Sequence, residues 1–150
     1  MRAVIQRVML AAINIEGRTH SSIGKGLMIL LGVETGDVQS DADWLCKKIA
    51  AMRLFADENE VMNLCVKEVG GELLVVSQFT LHADVSKGNR PSYIRAARPE
   101  TAIPLYEYFV SQLGEITGTV IKTGVFGADM QVSLINDGPV TIIMDSKKTT

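Results

Sequence analysis

Val4 to Ile15 is rich in β-branched and apolar residues with polar ones interspersed, and Glu16-Gly17-Arg18 then supplies a turn, the pattern of a strand entering a hairpin. A return strand is expected from Ile23 to Val33. The period changes after that. Trp44, Leu45, Ile49 and Met52 recur at helical spacing, Ser40 and Asp43 stand ahead of them like a capping box, and the first helix is predicted from Asp41 to about Leu54. A polar turn at Asp57 to Glu60 precedes Val61 to Val69, and Gly70-Gly71 leads into a short apolar strand, Glu72 to Val76. Pro99 suits a first helical position, and Ala102, Leu105, Tyr106, Phe109, Val110 and Leu113 form one stripe up to Gly114, although Pro104 weakens the first turn. Thr119 to Thr123, Met130 to Ile135 and Val140 to Asp145 read as three further strands, divided by Gly124, Gly127 and Gly138.

The strands gather at both ends of the chain instead of alternating with helices. This grouping favours an α+β fold, a curved mixed β-sheet or open barrel with two packed helices. At 150 residues, with no internal repeat or linker, the chain is expected to form one domain over residues 1–150. No disordered tail is expected beyond Ser146 to Thr150. The chain has no GxGxxG, no P-loop and no nucleophile elbow, which removes most nucleotide-binding α/β folds.

Composition narrows the setting. The chain is 47% hydrophobic and 21% charged, as an ordered protein is. No apolar run approaches the roughly 20 residues of a membrane helix, Arg2 and Arg7 interrupt any signal-like core, and a cytoplasmic protein with no membrane partner is expected. Cys46 and Cys65 read as buried reduced thiols, and His20 and His82 lack metal-ligand spacing, so neither a metal nor another cofactor is expected. A net charge of −2 gives no overall attraction to nucleic acid, but Lys87, Arg90, Arg95 and Arg98 lie in a run from Val85 to Pro99 without an acid. That run is either a solvated face or a phosphate-contacting patch.

Two segments carry candidate chemistry. Ser77-Gln78-Phe79-Thr80-Leu81 follows the apolar run Leu73 to Val76, and Asn136-Asp137-Gly138-Pro139-Val140-Thr141 precedes Ile142 to Met144. A polar group at the end of a buried strand is held on a rigid base. If the strand continues, Thr80 and His82 share a face, which allows a Ser/Thr esterase of small substrates with His82 as base. Alternatively, N–H groups freed at the strand end stabilise an oxyanion without a side-chain base. A third reading is a non-catalytic nucleic-acid-binding protein that uses the Lys87 to Arg98 patch. Gly138-Pro139 by itself reads as a tight turn with the usual trans bond.

Both segments resemble the two signature motifs of the D-aminoacyl-tRNA deacylases. The likeness extends to Val4 to Val8, Gly26 to Val33, Arg53 to Phe55 with Met62-Asn63, Lys87 to Tyr93, and Phe126 to Met130. It departs at Tyr93, where phenylalanine is common, and at Cys65, where serine is common. The resemblance implies a homodimer that hydrolyses the ester of D-aminoacyl-tRNA, and of glycyl-tRNA, with tRNA as partner and no cofactor. It places Ser77 and Gln78 beside the scissile ester and the backbone of Phe79 and Thr80 on the oxyanion side. The terminal ribose 2′-hydroxyl assists, and Thr80 is a positioning group or a nucleophile. Gly138-Pro139, as a cis pair inserted from the other subunit, would exclude L side chains. Arg7 would hold that loop, and Phe126, Met130 and Asn136 would line or support the pocket.

Overall fold

The computed structural model describes residues 1–148, so the last two positions of the expected tail lie outside the described residues. Strand β1 (Arg2–Ile15) organises the sheet. It is flanked on one side by β2 (Arg18–Ile23) and β3 (Gly26–Gly32), and on the other by β8 (Gln131–Asp145), all antiparallel to it. Strand β6 (Glu72–Ser77) runs parallel to β3, and β7 (Lys122–Thr123) runs parallel to β6. A small separate ribbon pairs β4 (Phe55–Ala56) with β5 (Met62–Leu64). The result is the expected curved mixed sheet.

Strands β3 and β6 are buried on both faces, which explains why their sequences are unbroken apolar runs. Leu27, Ile29, Leu31, Leu73 and Val75 face a core that includes both helices. Met28, Leu74 and Val76 face the opposite way, into a second cluster with Val8, Ala11 and Ile13. The helices α1 (Gln39–Ala51) and α2 (Pro99–Thr117) cover the first of these clusters together.

Several boundaries differ from expectation, each for a local reason. The expected return strand is β3, and the chain already pairs back on β1 from Arg18 as the separate strand β2; the two are divided because Gly24 and Lys25 leave the β1 ladder and bond to Glu72, the Gly24 N–H donating to Glu72 Oε1 (2.9 Å) and the Glu72 N–H to the Lys25 carbonyl (2.9 Å). Helix α1 is capped two residues early, since Asp41 accepts the Val38 N–H at 2.9 Å while Asp43 accepts the Tyr108 hydroxyl. Helix α2 runs past Gly114 to Gly118, whose φ of +68° ends it. Gly114 serves a close approach instead: a Cβ there would lie 3.3 Å from the Thr119 carbonyl. Ser146 is anchored to the first residue, its N–H donating to the Met1 carbonyl at 2.9 Å.

The largest departure is β8. The two strands expected on either side of Gly138 are one, and the Gly-Pro pair bulges out of it. Thr141 is opposite Gln6 and Asn136 opposite Val8, so four residues, Asp137 to Val140, face Arg7 alone.

Candidate active site

Chain direction changes at the end of β6. The Gln78 N–H still bonds the Leu31 carbonyl of β3 at 2.8 Å, but Phe79–His82 then forms a 3-10 turn. The strand alternation that would put Thr80 and His82 on one face therefore does not apply. His82 is fully buried, with Nε2 3.0 Å from the Gly32 carbonyl and Nδ1 without a partner. Thr80 Oγ1 instead accepts a hydrogen bond from Gln78 Nε2. The imidazole is thus a prop under the turn, with no hydrogen bond to the threonine.

Two residues, Gly32 and Arg2, hold this turn from below. Gly32 lets the chain pass, since a Cβ on it would lie 2.9 Å from the Gln78 carbonyl and 3.1 Å from the His82 ring. Arg2 Nη1 donates to the Leu81 carbonyl at 2.6 Å. Its Nη2 lies 3.0 Å from Asp145 Oδ2. Phe79 and Thr80 open the turn, and the first N–H groups of a helical turn have no partner within it.

Above the turn lies a cavity of about 300 Å³, lined by Ser77, Gln78 and Phe79 on one side and by Phe126 and Met130 on another. Leu31, Val76 and Tyr106 contribute to its apolar wall, and Asp129 is the one carboxylate among the lining residues. Tyr106 donates its hydroxyl to the Val75 carbonyl at 2.9 Å and meets the Phe126 ring edge-on at 5.9 Å. Burial pushes its phenol up to about 12, so it remains neutral. Sequence reasoning placed Tyr106 only on a helix stripe and missed Asp129. Tyr106 is itself buried in the core with the rest of its stripe, so the pattern gives no sign that it also lines the cavity.

The second segment lies elsewhere. Gly138 and Pro139 are exposed and do not line this cavity, and the bond between them is cis. Gly138 has φ +128°, a region that favours glycine. Arg7 sits behind the bulge, with Nε 3.1 Å from the Asp137 carbonyl and 3.4 Å from its carboxylate, and Nη1 2.6 Å from the Leu54 carbonyl. Asn136 closes the base: its Nδ2 donates to Gln6 Oε1 (2.7 Å), and its Oδ1 accepts the Val140 N–H (3.3 Å).

Among the described residues no group of three or more His, Cys, Asp or Glu side chains could hold a metal ion, and no helix is long and apolar enough to cross a membrane. Both thiols are free. Cys46 is buried, which raises its pKa to about 12, but Cys65 is only half-buried, contrary to expectation.

A curved mixed sheet with a 3-10 turn at the end of β6 beside a small cavity defines the class, and comparison with known proteins supplies the family. The model of the family described as D-Tyr-tRNA(Tyr) deacylase matches residues 4–145, and the chain belongs to that family. It is 60% identical over 147 residues to a Bacteroides thetaiotaomicron protein named D-aminoacyl-tRNA deacylase, covering 98% of each chain. A protein of the same name from Akkermansia muciniphila is 60% identical over 148 residues, covering 99% of each. A solved structure titled c-Myc DNA Unwinding Element Binding Protein superposes with a TM-score of 0.90 at 40% identity, over 97% of this chain and 98% of that one. Another, titled as a probable eukaryotic D-amino acid tRNA deacylase, shares the fold at a TM-score of 0.79 and 14% identity, over 95% and 97% of the two chains.

Proposed function

We propose that this chain hydrolyses the ester of D-aminoacyl-tRNA, releasing tRNA and the free D-amino acid, and that it acts on glycyl-tRNA as well. The observation that carries this reading is the turn that opens at Phe79, a residue lining the cavity, with its leading N–H groups outside the sheet ladder and with Thr80 bonded to Gln78 and not to His82. Removing one donor from an oxyanion hole costs about 2.7–4 kcal/mol, the scale of help a backbone N–H at this turn would give a developing oxyanion. The ester's own ribose 2′-hydroxyl assists the attacking water. Ser77 and Gln78 border the ester, and Thr80 positions it.

Selection against L-amino acids falls to Gly138-Pro139 of a second subunit. Support comes from what surrounds that bulge. Met9, Leu10, Ile135 and Ile143, on β1 and β8, are 54%, 44%, 53% and 71% exposed, an unusual load of apolar surface for two paired strands. A homodimer joined there would cover them and carry each bulge towards the partner's cavity, where main-chain atoms fill the space an L side chain needs. Glycine has no side chain to exclude.

The test follows deacylation of D-tyrosyl- and L-tyrosyl-tRNA with chelator present. Faster loss of the D ester, undiminished by the chelator, is expected; equal rates would refute the reading. Sedimentation should give a dimer. A monomer active on the D ester would remove the role given to Gly138-Pro139.

A further inference from the structure

We propose that the hairpin over residues 84–92, together with Arg98, is the docking surface for the phosphodiester backbone of the RNA whose 3′ end enters the cavity. The inference rests on the deacylase reading and names the part of the substrate which that site leaves unheld. The segment is pinned: Asp84 and Ser92 exchange both backbone hydrogen bonds (2.8 and 2.9 Å), the Ser86 N–H bonds Asp84 Oδ1 at 2.9 Å, and Gly88 turns the tip at φ +66°. It therefore presents its side chains from a fixed frame.

The four cations from Lys87 to Arg98, two on the hairpin and two just after it, divide into two kinds. Arg95 is engaged, with Nε 2.9 Å from Glu34 Oε1. Lys87, Arg90 and Arg98 are exposed, and among the described residues none has an acidic partner within ion-pair distance. A structural role consumes one charge of the four and leaves three facing solvent, in a chain whose net charge is −2. Position supplies the rest of the argument. The hairpin leads into Tyr93, whose ring meets Phe79 edge-on at 5.2 Å, and into Ala97; both Phe79 and Ala97 line the cavity. An RNA with its last nucleotide in that cavity must run out past its rim, where phosphate-neutralising cations contribute most.

The experiment measures kcat/KM for D-tyrosyl full-length tRNA and for the D-tyrosyl ester of a CCA trinucleotide, in the native chain and in the Lys87→Ala, Arg90→Ala double variant. The ratio of full-length to short substrate is expected to fall on the order of tenfold, through KM, and the slope of log KM against log salt to flatten by about two, one per cation removed. The rate on the trinucleotide ester reports folding, and a Lys87→Gln, Arg98→Gln pair provides a second variant. An unchanged ratio, an equal loss on both substrates, or dissociation of the subunits would overturn the proposal. Failure of the native chain on both esters would instead refute the deacylase reading. Binding of uncharged tRNA, read by anisotropy, then still decides the hairpin's role.

Discussion

The turn after β6 and the bulge in β8 both leave a strand, yet they are held in opposite ways. The turn rests on the core: its own last residue is a fully buried histidine, and a glycine with no room for a methyl group and an arginine with 21% side-chain exposure contact it from beneath. The bulge stands off the sheet. Its supports, Arg7 and Asn136, grip its two ends, while Gly138 and Pro139 between them are exposed. Groups that must meet a developing charge need a fixed place in their own chain, whereas a screen donated to another subunit needs a rigid shape and an open face. The two regions should therefore respond differently to substitution.

The largest expected effect comes from Gly32→Ala, at a residue outside both signature segments. Its methyl group would meet the Gln78 carbonyl at 2.9 Å and the Leu81 side chain at 3.2 Å, so the turn must shift. A displaced oxyanion donor loses about 10²–10³ in kcat. Single-turnover rates on D-tyrosyl-tRNA check this, alongside a melting curve in which the overpacked core costs about 1–3 kcal/mol. A variant with native kcat would mean that the turn does not carry the chemistry.

Gly138→Ala tests the other region and should change selectivity more than stability. At φ +128° an alanine is strained, and its methyl would lie 2.9 Å from Val140 Cγ2 and 3.0 Å from Arg7 Nη2. The loop must move, and a misplacement of about 1 Å can change rates on the order of 10²-fold. The D-to-L ratio should fall by about that factor while the melting temperature shifts by only a few degrees. If instead kcat on the D ester drops with the ratio intact, the bulge belongs to the catalytic half and the contrast fails.

How much of this could be read from the chain depends on which partners are local. The sheet strands, both helices and the two signature segments follow from periodicity and from resemblance, since each is set by neighbouring residues. What escaped were contacts across the fold. His82 lies two residues from Thr80 and invites a catalytic pairing, but its partner is Gly32, 50 positions away. The break at Gly24-Lys25 depends on Glu72. Strand β8 looked divided because Gly138 and Pro139 are punctuation in any local reading, while the pairing of Asn136 and Thr141 with β1 carries the strand through.

A smaller effect is expected from Thr80→Ala. The hydroxyl accepts from Gln78 Nε2, and its removal leaves one half-buried amide without that partner, at a cost of about 0.5–1.5 kcal/mol. Less than a tenfold loss of kcat is expected. Complete inactivity in a folded variant would return the hydroxyl to the role of nucleophile and locate the chemistry in a side chain instead of the backbone.

The smallest effect concerns the Arg2–Asp145 pair, an ionic prop under the turn. Burial raises the Asp145 pKa, but the Lys147 N–H and the Arg2 guanidinium outweigh it and leave the carboxyl below its ordinary 3.8. A folded-state pKa below the unfolded one means the stabilisation is present above about pH 4 and is lost as pH falls through the lower value. Asp41 and Glu34 are depressed in the same sense and add to the acid lability. Asp145→Asn should cost about 1 kcal/mol near neutrality, as expected for a pair with partial solvent access, and its melting temperature should fall less steeply with acid than that of the native chain. Because the same arginine holds the Leu81 carbonyl, a loss of kcat of a few-fold should accompany it, with the D-to-L ratio unchanged. A changed ratio would show that this prop reaches the bulge as well, and the two regions would no longer be independent.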